Sequence, residues 1–364
     1  MYDLIVIGGG PAGTSAAIVS ARRGARVLLL ERGCLPRHKV CGEFVSAESL
    51  DLLAGLLDSR NAGLLRNAIR IPGARIFVDG RTLQTQIRPE AASIARLDLD
   101  AGLWNSAEGC GVEARQQVTV QRICGAGPFQ VNTSSGDYEA RAVVNATGRW
   151  SNLNRESGNN GKAGAKWIGL KGHFAEAAPP VSVDLYFFDG GYCGVQPVSL
   201  GAEKSGGRVN ACAMVRADVA STLAQVLALH LVLQARASQW QPLSNPVSVG
   251  PLLFRTPQPE ADGILRVGDA AAFVDPFVGD GISLALRSGA LAAECLLPFF
   301  RGGSDLREAV RRYAERYIRE LAPVFQASSR IRRMLLLPRA LRAPVLFLLE
   351  NTPALTRQLV MRTR

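Results

Sequence analysis

The first thirty residues show two kinds of hydrophobic pattern in alternation. A continuous apolar run at 3–7 predicts a buried strand, and the glycines of 8–13 predict a turn. Small apolar residues at 12–23 predict a helix that ends at Gly24, and 26–30 predicts a second buried strand. A strand, a helix and a strand in this order make a βαβ unit, which is typical of a parallel sheet.

The rest of the chain continues this alternation of helical and strand patterns. Helices are predicted at 47–57, 98–108, 218–237, 281–297 and over most of the segment after 300, and strands in a hairpin at 75–87, in short runs across 112–144, and at 183–188, 194–198, 209–215 and 264–269. A polar stretch at 152–164 predicts a loop between domains. This order predicts an α/β protein in which a Rossmann-like domain is interleaved with a β-sheet domain.

The predicted domains are discontinuous in sequence. The boundaries are 1–70, 90–165 and 255–300 for the Rossmann-like domain, 71–89 and 166–254 for the sheet domain that binds substrate, and 301–364 for a helical C-terminal cap. No internal repeat supports a solenoid or an array.

Residues 8–13 read Gly-Gly-Gly-Pro-Ala-Gly, which matches the G-x-G-x-x-G pattern between a strand and a helix. Gly8 permits the tight turn, Gly10 lets a pyrophosphate approach the backbone, and Gly13 lets the helix pack on the strand. The helix N-terminus then offers N–H groups to the phosphates. Glu31, at the end of the second strand, is placed to accept hydrogen bonds from a ribose and would repel a 2′-phosphate. A turn without a ligand is the alternative, but the strand, helix and acid all favour a dinucleotide site.

A second motif lies at 266–282, where a predicted strand is followed by proline and glycine positions. The strand brings Asp269 to its carboxyl end, where open α/β sheets bind ligands. The backbone after it can pass close to a flat group before the next helix begins, and that helix N-terminus can stabilise negative charge. Arg96, just before another predicted helix, can reach a phosphate or sugar oxygen, although an ordinary surface arginine has the same pattern.

Five segments of the sequence occur together in one family. They are 8–13, Lys39-Val40-Cys41-Gly42, Arg96 with Asp100 and Leu103, Asn145-Ala146-Thr147-Gly148, and 268–282. With them the chain resembles the FAD-dependent oxidoreductases of the p-hydroxybenzoate hydroxylase fold, especially the geranylgeranyl reductase-like branch. That group also includes flavin-dependent monooxygenases and halogenases. The resemblance covers about residues 1–300 and implies FAD as the cofactor.

The resemblance also assigns roles to individual residues. It implies that Asp269 binds the ribityl chain of FAD, that 279–282 pass the isoalloxazine ring, that Arg96 contacts the cofactor, and that the Val118 backbone touches adenine. The full set of cofactor-binding residues expected on these grounds is Gly8, Gly10, Pro11, Ala12, Gly13, Glu31, Arg32, Lys39, Cys41, Gly42, Arg96, Val118, Ala146, Gly148, Gly268, Asp269, Pro276, Gly279, Asp280, Gly281 and Ile282.

The sequence departs from its relatives at three motifs. Thr147-Gly148 replaces the Asp-Gly pair that accompanies NADPH use in the aromatic hydroxylases, so the reductant, NAD(P)H or a reductase partner, is left open. The Trp-x-Trp-x-Ile-Pro motif of tryptophan halogenases is missing, which disfavours that type. The Tyr-x-Trp-x-Phe-Pro motif of isoprenoid reductases becomes 192–197, with Gly194 and Gln196 in place of two aromatic residues. We expect this exchange to open space and add an amide near the substrate, which disfavours a plain prenyl chain.

Three side chains are candidates for the chemistry near the ring. Cys41 can face the flavin with a pKa lowered by Lys39, or can be a packed small hydrophobe. Lys171 can orient the substrate, or can be a solvated lysine at a strand end. Tyr192 is the best candidate for a substrate contact or proton donor. No Ser/His/Asp set stands out, which suits a cofactor-driven reaction.

Composition and charge limit the classes of binding partner that the sequence favours. The chain has 364 residues with 47% hydrophobic residues and a formal net charge of +11, but the segment after 300 alone holds 14 Arg and 5 acidic residues. The excess charge therefore belongs to the C-terminal cap, and the absence of aromatic platforms argues against nucleic acid. Apolar residues interleaved with Arg in 330–364 suit either a helix packed on the sheet domain or peripheral membrane contact. A hydrophobic small molecule and an electron-donor protein are the other expected partners.

Cysteine and histidine usage points to location and excludes a metal site. Seven Cys without a C-x-x-C pair, and no signal-peptide pattern, favour a reducing, cytoplasmic location, with peripheral membrane contact left open. No uncharged apolar run of membrane-spanning length is present. Three separated His make a zinc site improbable, so no metal is expected.

The sequence thus favours an FAD-dependent monooxygenase acting on a polyketide, phenolic or lipid-like molecule through a reduced-flavin and oxygen intermediate. Two alternatives stay open: a flavin-dependent reductase of isoprenoid or other lipid C=C bonds, and a non-catalytic flavoprotein that carries electrons.

Overall fold

Strands and helices alternate along most of the chain. The computed structural model describes residues 1–149, 153, 166–199, 207–335, 337 and 339–352. The strands are β1 Tyr2–Ile7, β2 Val27–Leu30, β3 Phe44–Val45, β4 Ile69–Val78, β5 Arg81–Ser93, β6 Glu113–Arg115, β7 Val120–Cys124, β8 Phe129–Thr133, β9 Gly136–Asn145, β10 Trp167–Ala175, β11 Val183–Phe188, β12 Gly191–Pro197, β13 Arg208–Arg216, β14 Gln241–Pro242, β15 Val247–Leu252, β16 Glu260–Ala261 and β17 Ile264–Arg266. The helices are α1 Pro11–Ala21, α2 Leu50–Leu56, α3 Gly63–Arg66, α4 Arg96–Gly109, α5 Leu223–Leu227, α6 Leu231–Ala237, α7 Gly281–Phe300, α8 Leu306–Glu320, α9 Ala322–Leu335 and α10 Arg339–Asn351.

The first sheet has the order β16-β17-β9-β1-β2-β6, and β7 and β8 form an antiparallel extension beside β9. The pairs β1–β2, β1–β9, β2–β6 and β9–β17 are parallel. Leu4, Ile5 and Val6 of the central strand are fully buried because helices or strands cover both faces. The first βαβ unit is therefore formed as the sequence predicts.

Helices α1 and α7 pack closely on one face of this sheet. A Cβ atom on Gly289 of α7 would lie 2.1 Å from the carbonyl oxygen of Ala12, so only glycine permits this approach. Ala16 and Ala17 of α1 are fully buried. Among the described residues, α7 alone is long and apolar enough to cross a membrane, but 72% of its apolar window is buried inside the protein. Its apolar composition is thus explained by the core.

The second sheet has the order β14-β10-β13-β12-β11-β4-β5-β3, with β15 beside β10. It is antiparallel except where β11 pairs in parallel with β4, and residues 79–80 form the hairpin turn predicted between β4 and β5. Helices α5 and α6 pack on one face, and α8, α9 and α10 follow the core helix as the C-terminal cap. The predicted fold class is confirmed, since a Rossmann-like sheet, a second sheet and a helical cap are all present. The exact domain boundaries stay predictions.

Three predicted elements need correction or lie outside the described residues. The helix predicted at 218–237 is two short helices, because the side chain of Thr222 accepts a hydrogen bond from the Gln225 N–H and starts α5 late. The strand predicted at 264–269 ends at Arg266, because Gly268 adopts a φ of +57° and begins a 3-10 turn. The interdomain loop predicted at 152–164 is described only at residue 153.

Candidate functional site

A cavity of about 610 Å³ lies between the two sheets. Its size is that of small-molecule and cofactor sites, about 300–1,000 Å³. Most of the predicted site residues line it, namely Gly8, Gly10, Pro11, Ala12, Glu31, Arg32, Lys39, Cys41, Gly42, Arg96, Val118, Ala146, Gly148, Tyr192, Gly268, Asp269, Pro276, Gly279, Gly281 and Ile282. Segments that are far apart in sequence therefore meet around one space.

The glycine loop after β1 fits a pyrophosphate at this cavity. A Cβ atom on Gly8, whose φ is +114°, would lie 2.3 Å from the Ala146 carbonyl oxygen, and one on Gly13 would lie 1.9 Å from the Gly8 carbonyl oxygen. Gly10 differs, because its Cβ atom would meet only the Lys39 Nζ atom at 3.9 Å. Gly8 and Gly13 are thus required by the fold, whereas Gly10 leaves open space at the start of α1. A helix N-terminus beside open space suits phosphate binding.

Glu31 lines the cavity but already accepts several hydrogen bonds. Its Oε2 atom accepts from the Gly9 N–H at 2.8 Å, and its Oε1 atom accepts from the Gly33 N–H at 2.7 Å and from Arg37 at 3.0 Å. The carboxylate therefore holds the glycine loop as well as facing the predicted ribose position.

The buried carboxylate of Asp100 holds two cations at the cavity. Arg96 donates to it from Nε at 2.9 Å and from Nη2 at 3.0 Å, and the Lys39 Nζ atom lies 2.7 Å away. Burial alone would raise the pKa of Asp100, but the two cations outweigh it and hold this pKa below its ordinary value. Arg96 and Lys39 both line the cavity beside Cys41. The site thus presents fixed positive charge where the resemblance expects cofactor contacts.

Asp269 lies just after the carboxyl end of β17, as the sequence predicts. Its carboxylate is about one-third exposed toward the cavity and lies 3.4 Å from the Arg149 Nε atom. Burial raises the pKa of Asp269, while Arg149 and Arg96 oppose the shift. A carboxylate at this edge can accept hydrogen bonds from cofactor hydroxyls. No motif in the sequence predicts the role of Arg149, whose guanidinium also lies 4.1 Å from the centre of the Phe273 ring.

Three predicted site residues do not line the cavity. Gly13 instead contacts the Gly8 backbone, which is the packing role that the glycine pattern predicts. Asp280 accepts a hydrogen bond from the Ser46 hydroxyl at 2.7 Å, and burial raises the pKa of Asp280 to about 6. Lys171 is 1% exposed and contacts Glu43, so it is neither solvated nor in reach of the cavity. The direct cofactor contact expected of Asp280 and the substrate contact expected of Lys171 are therefore corrected.

Glu43 belongs to no motif in the sequence, yet it lies at the centre of a buried ionic cluster. Its fully buried carboxylate contacts Lys171 Nζ at 2.5 Å and His173 Nε2 at 2.7 Å, and its Oε1 atom accepts from the Arg96 N–H at 2.8 Å. Burial raises the pKa of Glu43, but the hydrogen bonds and charges of His173 and Lys171 lower it more. Glu43 has a φ of +61°, which is unusual for a residue with a side chain. This cluster fixes the 41–43 loop to β10 and α4.

Aromatic and apolar side chains form one part of the cavity wall. Tyr192, Met214, Leu252 and Phe273 line it, and Phe277 packs on Tyr192 with ring centroids 6.0 Å apart. Burial, together with nearby cysteines and Asp275, raises the pKa of Tyr192 well above its ordinary value. This wall excludes water and keeps the Tyr192 hydroxyl protonated.

The structure corrects the expectation for Gly194 and Gln196. Gln196 is 2% exposed, and its amide donates to the Ser93 hydroxyl at 2.7 Å. Neither residue lines the cavity, and a Cβ atom on Gly194 would lie 3.3 Å from Leu185. The exchange of two aromatic residues therefore adds no polar amide to the cavity wall. Gln196 therefore does not disfavour a prenyl substrate.

Comparisons with known proteins agree with this site. Residues 3–54 match the model of the FAD dependent oxidoreductase family. The chain is 26% identical over 341 residues to digeranylgeranylglycerophospholipid reductase 2 of Methanopyrus kandleri, covering 89% of this chain and 84% of that protein. It is 26% identical over 375 residues to a menaquinone reductase of Mycobacterium tuberculosis, covering 93% and 85%. Among solved structures, the flavin-dependent brominase Bmp2 superposes with a TM-score of 0.80 at 19% identity, covering 100% of this chain and 93% of that one.

These findings confirm the resemblance to FAD-dependent oxidoreductases and the prediction of FAD as the cofactor. The residues present fit that group, because open space at Gly10 and the cations beside Asp100 both face the cavity. FAD supplies the redox chemistry when it is bound. The choice between oxygenation, reduction and halogenation rests on the substrate side of the cavity.

Proposed function

We propose that this FAD-dependent oxidoreductase is a monooxygenase of a hydrophobic small molecule with a phenolic or polyketide ring. The observation that carries the proposal is the wall formed by Tyr192, Met214, Leu252 and Phe273. Apolar and aromatic side chains make up this wall, so an apolar ring packs against it with little loss of hydration.

The raised pKa values of two side chains in the wall favour oxygen transfer over saturation of a double bond. Saturation requires an acid that gives up a proton to carbon, and such an acid works best when its pKa is near the working pH. Burial raises the pKa of both Tyr192 and Cys212, which makes both side chains poor proton donors. A hydroxyl that keeps its proton can instead donate a hydrogen bond and orient a phenolic or carbonyl oxygen of the substrate.

The polar side chains of the cavity bind and orient the cofactor. Arg96 and Lys39, held by Asp100, supply positive charge near the cofactor, and Asp269 accepts hydrogen bonds at the sheet edge. The Glu43 cluster fixes the loop that carries Cys41. These side chains bind and orient, while the apolar wall excludes water.

The proposal is tested with holoenzyme photoreduced by a sacrificial donor such as EDTA, so the physiological electron donor need not be known. The enzyme is mixed with isotopically labelled oxygen and a long-chain alkylphenol, and the product is analysed by mass spectrometry. We expect one labelled oxygen atom in the product, and a product yield that falls about tenfold in Tyr192→Phe because an orienting hydrogen bond is lost. Reduced enzyme that is inert to oxygen with and without substrate would contradict the proposal.

A second candidate is a reductase of polyprenyl lipid double bonds. It is favoured by the similarity of the chain to two reductases and by the position of Gln196, whose amide donates a hydrogen bond to Ser93 and lies away from the cavity. The same photoreduced enzyme is mixed anaerobically with a menaquinone and with a geranylgeranyl lipid. Reoxidation of the flavin with a hydrogenated lipid product, and no labelled oxygen in the aerobic assay, would replace the first candidate by this one.

A further inference from the structure

Helix α10 turns a polar side chain toward the protein and apolar side chains toward solvent. Arg342 is 12% exposed, and its Nε and Nη2 atoms each donate to the Asp79 carboxylate at 2.6 Å. The exposed residues of the helix include six apolar or small ones, namely Ala340, Leu341, Pro344, Val345, Phe347 and Leu348. Leu341, Phe347 and Leu348 are 63%, 58% and 53% exposed.

The spacing of these residues puts them on one face. Leu341, Val345 and Leu348 follow each other at intervals of four and three, so they form one stripe along the helix. Helices at the surface of a globular protein normally direct the apolar stripe to the core. Among the side chains of α10 that the structure describes, the large apolar ones are exposed instead. A contiguous apolar surface of this kind marks a binding site.

The charge of the residues near the stripe indicates which kind of surface binds it. Arg330 and Arg333 are exposed on α9, close in sequence to the stripe, whereas Arg339 at the start of α10 lies 3.3 Å from Asp189 and 3.5 Å from Asp79. Three of the arginines of α8 are matched by glutamates one turn away, such as Arg311 with Glu315, whereas α9 holds three arginines and no acidic residue. Two copies of the chain joined through α10 would bring these charges together. An anionic surface is attracted instead.

We propose that α10 is an interfacial helix that seats the protein on an anionic lipid bilayer. The stripe enters the boundary between headgroups and acyl chains, while the neighbouring arginines contact lipid phosphates. The Arg342–Asp79 ion pair holds the helix to the hairpin of β4 and β5 with the stripe outward. This inference stands independently of the reaction proposed above, because it rests on the surface of the cap alone.

The test is co-sedimentation of holoenzyme with lipid vesicles, followed by protein and flavin absorbance. One set of vesicles is phosphatidylcholine, and the other contains equal amounts of phosphatidylcholine and phosphatidylglycerol. We expect binding to the anionic vesicles that weakens as salt is added. The double variant Leu341→Asp/Leu348→Asp should lose about tenfold or more in affinity because the stripe no longer enters the bilayer.

Leu231→Asp is the matched control, because Leu231 is 82% exposed on α6, outside the stripe. It should bind vesicles like the unchanged protein, and all variants should keep their flavin and circular dichroism spectra. The proposal is overturned if the unchanged protein does not bind, if the double variant binds fully, or if the control loses as much affinity as the double variant. A dimer in light scattering that the double variant abolishes would overturn it too, by assigning the stripe to a second copy.

Discussion

Gly10 differs from Gly8 and Gly13 because a side chain at this position would have space around it. At Gly8 and Gly13 a Cβ atom would collide with backbone oxygens, whereas at Gly10 it would project into open space. The sequence pattern assigns all three glycines to one motif. The tertiary structure separates the two that the fold requires from the one that the ligand requires.

We therefore predict that Gly10→Ala folds but binds FAD at least about tenfold more weakly, a loss of about 1.4 kcal/mol. The added methyl group occupies the space that the pyrophosphate needs. Binding is measured by flavin fluorescence on titration of the apoprotein. The control is Gly55→Ala on α2, where a Cβ atom meets nothing within 4 Å. Full FAD affinity in Gly10→Ala would show that the cofactor lies elsewhere.

The buried carboxylate of Glu43 makes the stability of the fold depend on pH. Its partners hold the pKa of this carboxyl below the ordinary value of about 4.3. The carboxylate therefore contributes stability above the ordinary pKa of glutamate, and the contribution is lost as pH falls through the lowered pKa. Removing one partner of a buried ion pair costs about 3–5 kcal/mol.

We expect Glu43→Gln to lower the free energy of unfolding by about 3 kcal/mol at pH 7. The difference between the two proteins should shrink on acidification, because only the unchanged protein loses a charge pair. Urea unfolding of holoenzyme at several pH values measures both quantities. A difference that stays constant with pH would mean that the carboxylate charge is not what stabilises the cluster.

Among the elements, α9 connects the C-terminal cap to the cavity wall. Arg332 of α9 lies 3.0 Å from the Asp275 Oδ1 atom and 4.0 Å above the Phe254 ring. Asp275 is 2% exposed, and burial raises its pKa to about 6, although Arg332 and Ser328 oppose the shift. A cap helix thus contributes charge directly behind the aromatic wall.

The pKa of Asp275 is raised, whereas the pKa of Glu43 is lowered, so the two groups affect stability in opposite directions with pH. The folded protein holds the Asp275 proton more tightly than the unfolded chain, so stability from this group is present below about pH 4 and is lost as pH rises through about 6. We expect Asp275→Asn to stabilise the holoenzyme by about 2 kcal/mol at pH 8 and to have little effect at pH 4. Guanidinium unfolding measures the difference. Destabilisation at pH 8 would show that the Arg332 pair outweighs the cost of burying the charge.

At the scale of the whole molecule, the cavity joins the two sheets. Its lining includes Gly148 after β9 of the first sheet and Gly169 and Met214 of the second. A ligand held between them stabilises both, because binding to the folded state alone shifts the unfolding equilibrium.

We expect FAD at one hundred times its dissociation constant to add about 2.7 kcal/mol to the free energy of unfolding, seen as a melting temperature higher by several degrees. Differential scanning calorimetry of apoprotein with increasing FAD measures the effect. Gly10→Ala should need more FAD for the same increase. A melting temperature that is independent of FAD would contradict a site between the sheets.

Local patterns in the sequence predicted the first βαβ unit, the hairpin at β4 and β5, the core helix α7 and the helical cap, because each depends on nearby residues. The predicted cofactor residues come together for a related reason, since the ends of parallel strands share one edge of a sheet. The prediction failed at Lys171 and Asp280, whose side chains bond to Glu43 and Ser46. Nothing in the local sequence specifies partners so far away along the chain.

The sequence by itself determined most of the elements, the dinucleotide loop and the concentration of positive charge after residue 300. Only the tertiary structure decided which charges are buried and which apolar residues are exposed. Glu43, Lys171 and His173 pair because β10 passes the loop at residue 43, and α10 exposes its apolar stripe because Arg342 reaches Asp79 on a distant hairpin. Burial depends on contacts between segments remote in sequence, whereas periodicity and composition are local.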